Sequence, residues 1–559
     1  MKLKTIIFII GLLLAQLPLF AQKEGREYEE AGKKNSKEAI LKNFPEGSKH
    51  ESTMLPMKDG TKLAVDVFIP PGKGPWPVIM AKGYYGHFST SSYSAPCKGG
   101  EITFVCVDSR GKGNSEKGKM DPKSPDYEIS DCNEIITWIS RQSWCNGRIG
   151  TYGGSGNAVA AYCSFLAGNP AMVVVAPGNS SAYTYNYWGF NNGVRRASLY
   201  NWLNFIGIPK DEWPKPTLHS LDIPKWDDIL EKASADNKTV VIASAGWYDI
   251  VSESAIELFM KCGDKARIFV SVGPASHAGE LPFKFPRNES SQISMPKFDA
   301  VLLGKAKISE KSLISYFVMG DRNDSGKKGV GNVFKTSETW PPADSSPVPF
   351  YLNADGSLSK TKPTSKDATL KYQYDPRNPA PTIGGNWMYS KENMGPLDQS
   401  PLKNRKDILR FASEPLGEPV EIAGKVFAEI FFSTDVADTG FVVKLVDIYP
   451  DGYEMIIRES AGMARYAGGL DKPAPVVKGT VLKLRMDMWS TAIAFEKGHR
   501  IGFYVTSSSA QAYEVHPNTF EQVKSYEKSP VASQVIHVSA ENASCVILPV
   551  CAAVQGNKD

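Results

Sequence analysis

The chain has 559 residues with a net charge of +4, and it is 42% hydrophobic, 22% charged and 11% aromatic. That length exceeds what one core supports, and the composition is that of an ordinary globular protein of two or more domains. No dense Lys/Arg run occurs, which argues against nucleic acid as a partner. Eight cysteines in this length make no disulfide framework. Cys106, Cys163 and Cys545 lie in apolar runs and read as small core residues, and no Cys/His spacing fits a zinc site.

In chain order, Lys2 and Lys4 precede an apolar run from Thr5 to Phe20 that ends at Ala21. Residues 1–21 read as a signal peptide cut after Ala21, which predicts a secreted or periplasmic protein with no membrane contact after cleavage. Residues 22–50 form a polar N-terminal segment, and 51–339 read as a catalytic α/β domain. Lys62–Ile69 alternates like a half-buried strand, while "PVIMAK" (77–82) and "TFVCVD" (103–108) are short apolar runs suited to strands covered on both faces. Met172–Ala176, Thr239–Ala245 and Arg267–Val272 look the same. Between them, Cys132, Ile135, Ile136 and Ile139 recur at helical spacing in a helix expected over 130–143. Strand and helix in alternation predict an α/β fold with a mostly parallel sheet. The interval 180–236 is rich in aromatics, shows no obvious sheet strand, and reads as an inserted helical cap. From Trp340 the style changes: a proline-rich linker leads into β-rich runs such as "VFAEIFFS" (426–433) and "FVVKLVDI" (441–448). Residues 340–559 therefore read as an all-β sandwich or jelly roll.

The chemistry centres on "GTYGGSGNA" (150–158). A strand end, a turn bearing Ser155 among small residues, and a helix from Asn157 form the context of a nucleophile elbow. The free N–H groups at the helix start favour developing negative charge. Gly153 fits G-x-S-x-G, whereas Asn157 departs from it. A serine nucleophile needs a base. Of the seven histidines, His277 follows the strand-like "RIFVSV" in a turn-rich loop. An acid is expected between the two at a strand end. Asp249 stands there, although an Asp in that place can also cap a helix starting at Ile250. The order Ser155, Asp249, His277 is that of the α/β-hydrolases.

With those residues in view, the chain resembles the CocE/NonD hydrolases, the group of cocaine esterase, α-amino-acid ester hydrolase, glutaryl acylase and X-Pro dipeptidyl-peptidase. The resemblance rests on "PVIMAKGYYGHF" (77–88), "VCVDSRGKGNSE" (105–116), "WISRQSWCNGRIGTYGGS" (138–155), "AGWYD" (245–249) and "GPASH" (273–277). In the second half it rests on "YDPRNPAPTIGG" (374–385), "VVKLVDIYPDG" (442–452) and "FEKGHRI" (495–501). It implies an α/β-hydrolase fold with a helical cap and a C-terminal jelly roll of the X-Pro dipeptidyl-peptidase type. It also implies an oxyanion hole made by a tyrosine hydroxyl, matched by Tyr85 with Tyr84 as the alternative, and the backbone N–H of Gly156. His87, Trp188 and Trp247 are expected to line the substrate pocket. Relatives usually carry Ser-Tyr-x-Gly where this chain has Ser155-Gly156-Asn157-Ala158. The acidic cluster that holds a substrate ammonium in α-amino-acid ester hydrolases is replaced by His87, Val251 and Ser252.

These features predict a serine hydrolase that needs no metal or cofactor and cleaves an ester or amide of a small-molecule or short-peptide substrate, with an uncharged or acidic acyl group. An X-Pro dipeptidyl-peptidase is the alternative within enzymes. An impaired hydrolase scaffold that binds a glycan or peptide is the alternative outside them.

Overall fold

The computed structural model describes residues 36–120, 126–181, 189–197, 237–277, 281, 296–324, 330–388, 393–521, 523 and 525–552. The signal segment and most of the expected cap, Trp188 included, lie outside them. The described residues divide into two compact units, one built from the chain up to Gly178 with Lys297–Lys307, the other mainly from the rest.

In the first unit, strands β1 (Lys49–Pro56), β2 (Lys62–Ile69), β3 (Trp76–Gly83), β4 (Thr103–Asp108), β5 (Cys145–Gly154) and β6 (Met172–Gly178) stand in the order β1-β2-β4-β3-β5-β6. The last four are mutually parallel and β1 and β2 are antiparallel additions. β4 is buried at every position, as its unbroken apolar run demands. β2 was expected to be half-buried, yet only Lys62 is exposed. Its polar Asp66 tolerates burial because Ser52 Oγ donates to it at 2.6 Å and His50 Nε2 lies at 2.8 Å. The helix Asp126–Ser140 starts earlier than its apolar spacing suggested and also buries Glu128 and Asp131. Those carboxylates are neutralised in place, Glu128 by Lys82 at 2.6 Å and Asp131 by Arg110 through two hydrogen bonds of 2.7 and 2.8 Å.

The second unit carries a short hairpin, β7 (Phe190–Asn191) and β8 (Val194–Arg195). The segment was expected to hold no strand. Its Asn192-Gly193 corner, with φ of +44° and +80°, is the dipeptide that turns two antiparallel strands most tightly. Four strands follow, β9 (Val240–Tyr248), β10 (Ile268–Ser276), β11 (Leu313–Val318) and β12 (Val333–Ser337), the first three parallel and the last antiparallel. Helix Ser252–Cys262 packs on β9 and β10. From Ser345 onward the described elements are strands and one-turn helices, gathered in sheets of seven and four strands. The long strands Val420–Thr434 and Leu482–Phe495 pair through most of their length.

Candidate active site

β5 ends at Gly154, and Ser155 follows with φ +54°, the left-handed region that costs a non-glycine residue about 1–2 kcal/mol. The chain then makes one tight turn, Ser155–Asn157, and enters helix Ala158–Leu166. Gly153 has to be glycine, because a Cβ there would stand 2.6 Å from the Asn157 carbonyl oxygen as the chain doubles back. The turn is thus held by sterics and aims Ser155 out of the strand end.

Around it the hydrogen bonds are short and local. The Tyr85 hydroxyl donates to Ser155 Oγ at 3.1 Å and accepts from the Gly156 N–H at 2.8 Å. Gly156, one departure from the relatives, sits tightly against this hydroxyl: a Cβ at that position would lie 2.6 Å from the Tyr85 oxygen. Asn157, the other departure, accepts the Tyr84 N–H on its Oδ1 at 2.9 Å and so ties the tyrosine loop to the elbow. Between the two tyrosines, Tyr85 is the one at the serine. Tyr84 is pushed well above the ordinary phenol range by burial, with the Glu128 charge beside it.

His87, two residues on, is held by carboxylates while part of its side chain stays exposed. Its Nδ1 lies 2.8 Å from Asp108 Oδ2 and its Nε2 lies 3.7 Å from Asp66 Oδ2. Its ring also packs on Phe88 at 3.8 Å between centroids. With both nitrogens facing carboxylates, it anchors the Tyr85 loop.

The other candidates lie in the second unit. Parallel register sets Tyr248 of β9 opposite Ser276 of β10, so the residues that follow each strand, Asp249 and His277, come out side by side. His277 Nδ1 lies 3.0 Å from each oxygen of the fully buried Asp249. A proton on Nδ1 donated to Asp249 leaves Nε2 as the basic nitrogen. Burial opposes a charged imidazole here, but the Asp249 charge and hydrogen bond outweigh it and raise His277 above its ordinary value. Asp249 Oδ1 also accepts the Val251 N–H at 3.1 Å and so closes the turn before helix Ser252–Cys262, whose N-cap is Val251. Trp247, expected to line the pocket, is packed closely among the described residues. It is fully buried, donates its indole N–H to the Phe317 carbonyl at 2.7 Å and stacks on Trp340.

Two groups went unnoticed in the sequence. Arg458, fully buried, donates to the Trp247 carbonyl and to the Ser490 carbonyl, and the Tyr248 hydroxyl donates to the Ile456 carbonyl at 2.9 Å. The β-rich region thereby holds the strand end that carries Asp249. The sequence signal was the polar run Arg458-Glu459-Ser460 inside a strand whose other inner positions are apolar or small, "EMIIRESAGM" (454–463). The other is Arg196, which follows the Asn-Gly hairpin.

Residues 59–222 match the family model described as X-Pro dipeptidyl-peptidase (S15 family), and 313–547 match that of the X-Pro dipeptidyl-peptidase C-terminal non-catalytic domain. The chain is 27% identical over 574 residues to the cocaine esterase of Rhodococcus sp. (strain MB1 Bresler), covering 89% of this chain and 98% of that one. Two solved structures share the fold at 22% identity. One is an aminopeptidase from a marine sediment archaeon, Thaumarchaeota archaeon, with TM-score 0.71 over 91% of this chain and 97% of the other. The second is an α-amino acid ester hydrolase, with TM-score 0.69 over 90% and 96%. An α/β-hydrolase unit joined to this type of β-rich C-terminal region places the chain in the cocaine esterase, α-amino-acid ester hydrolase and X-Pro dipeptidyl-peptidase family of serine hydrolases.

Proposed function

We propose that this serine hydrolase is an exported enzyme that cleaves a small acyl ester or amide through Ser155, His277 and Asp249. The observation that carries the reading is the pairing of a serine on a strained elbow with a separate, buried Asp249–His277 couple at 3.0 Å, in the chain order of the fold. Ser155 Oγ attacks the carbonyl as His277 Nε2 takes its proton. Asp249 keeps the proton on Nδ1 and stabilises the imidazolium. The carbonyl oxygen, as it becomes an oxyanion, accepts from the Tyr85 hydroxyl and the Gly156 N–H, replacing the hydrogen bond these two make to each other. One such donor is worth about 2.7–4 kcal/mol. His277 then protonates the leaving group, and water, deprotonated by the same histidine, releases the acyl group.

Ser155→Ala is expected to lower p-nitrophenyl ester hydrolysis by roughly 10⁴–10⁶-fold without shifting the melting temperature. Unchanged turnover in that variant overturns the reading. The S15 family match favours a second reading, X-Pro dipeptidyl-peptidase activity. Such a substrate presents a free α-amine, and the chain has His87, Val251 and Ser252 where the ester hydrolases hold that group with acids. Hydrolysis of an X-Pro-p-nitroanilide faster than of simple esters would decide for the peptidase.

A further inference from the structure

The Arg196 side chain is 2% exposed, yet among the described residues it forms no ion pair. Its Nη1 donates to the Asn386 carbonyl at 3.3 Å, and its Nε and Nη2 have no hydrogen-bond partner among the described residues. The amide Nδ2 of Asn386, itself 7% exposed, has none either, nor has Nε of the neighbouring Arg458. All these orphans are donors. A buried guanidinium left this way costs several kcal/mol, and what relieves it is an acceptor, best an anionic one.

The acceptors near it are already engaged. Asp249 and Glu459 are close enough for their charges to act on Arg196. Asp249 is held by His277, and Glu459 takes Lys444 at 2.9 Å and the Ser509 hydroxyl at 2.9 Å. Arg458 faces it with a second positive charge.

Its presentation is rigid. The guanidinium lies 4.3 Å over the Trp489 ring and 5.7 Å from that of Tyr513. Trp489 has φ +65° and sits in a β-bulge where two residues of its strand, Met488 and Trp489, face one, Val426, of Val420–Thr434, a device that re-aims a side chain. The hairpin before Arg196 is tied down by Asn192, whose amide donates to Ser460 Oγ, the Ala461 carbonyl and the Asp487 carbonyl at 2.9, 2.9 and 3.1 Å. Fixed backbone, a strained aromatic platform and surplus donors are what a binding subsite requires.

We propose that Arg196 and Asn386 form a carboxylate-binding subsite on the Asp249–His277 side of the enzyme, so that the preferred substrate carries a free carboxylate on its acyl chain. This rests on the serine hydrolase reading above and narrows its substrate class. A planar guanidinium with Nε and Nη2 both available matches a carboxylate through two parallel hydrogen bonds.

The test compares two p-nitrophenyl esters of similar length, the neutral butyrate and the glutarate monoester. Wild type is expected to favour the glutarate ester by about tenfold or more in kcat/KM, and Arg196→Met to lower the glutarate-to-butyrate ratio by about 100-fold. Arg196→Lys is expected to restore part of it. A role confined to packing would leave that ratio unmoved. Butyrate hydrolysis with no preference, or a ratio unchanged by Arg196→Met, overturns the subsite while the hydrolase reading stands. Should neither ester be cleaved, the hydrolase reading fails, and glutarate binding to the full-length protein by calorimetry still decides the subsite. Saturable binding lost in Asn386→Leu and Arg196→Met supports it, and no binding overturns it.

Discussion

The proposed nucleophile and its proposed base are built in different ways. Around Ser155 the construction is local: Gly153, Ser155, Gly156 and Asn157 lie within five positions and meet one short loop, Tyr84–His87. Backbone sterics set the geometry, since Ser155 is held at φ +54° by a turn in which only glycine fits at 153. Around Asp249 and His277 the construction is long-range. The strand end that leads to Asp249 is held at Trp247 from 70 and 211 positions away, by the Phe317 carbonyl and by Arg458. The region matched by a model described as non-catalytic therefore holds the backbone two residues before Asp249, the proposed acid. Local construction makes a serine precise, whereas tertiary construction makes the acid–base pair dependent on distant packing.

Substitutions can break this contrast on either side. The largest effect after loss of Ser155 is expected for Asp249→Asn, about 10⁴-fold in kcat, because the wrong imidazole tautomer is then favoured. The pH profile of kcat/KM adds a sign. The base works neutral, and Asp249 raises His277 above its ordinary value, so activity in the native enzyme falls as pH drops through that raised value. With the Asp249 charge removed, burial alone acts and moves the acid limb to lower pH. Tyr85→Phe comes next, with kcat down about 10²–10³-fold. Gly156→Ala pushes the same hydroxyl away without removing it and should cost less than Tyr85→Phe, again in kcat more than in KM.

Arg458→Met should have the smallest effect, about tenfold in kcat/KM, by letting the Trp247 carbonyl and with it Asp249 drift. Its melting temperature should change little, since lost hydrogen bonds are offset by no longer burying a guanidinium. A large loss of stability with an unaltered pH profile would show that Arg458 supports the fold and not the acid.

The same contrast governs what could be read in the sequence. The elbow and the order Ser155, Asp249, His277 were legible because each follows an apolar strand run with small or turn residues. The apolar runs of β3, β4 and the helix residues Cys132–Ile139 declared the α/β unit for the same reason. What stayed hidden depends on partners far along the chain. Asn157 registered only as a departure from relatives, since its acceptor role needs the Tyr84 loop 73 positions earlier. Trp247 looked like a pocket wall because an aromatic beside a catalytic acid carries no mark of burial. The Asn192-Gly193 hairpin was legible in principle, but its strands are two residues each, too short to show alternation.

The account stands most directly on whether His277 activates Ser155. Labelling of the mature protein with a fluorophosphonate, read by peptide mass spectrometry, should give one adduct on Ser155 in the native enzyme and none in His277→Ala. No adduct on Ser155, or equal labelling in both proteins, would contradict it.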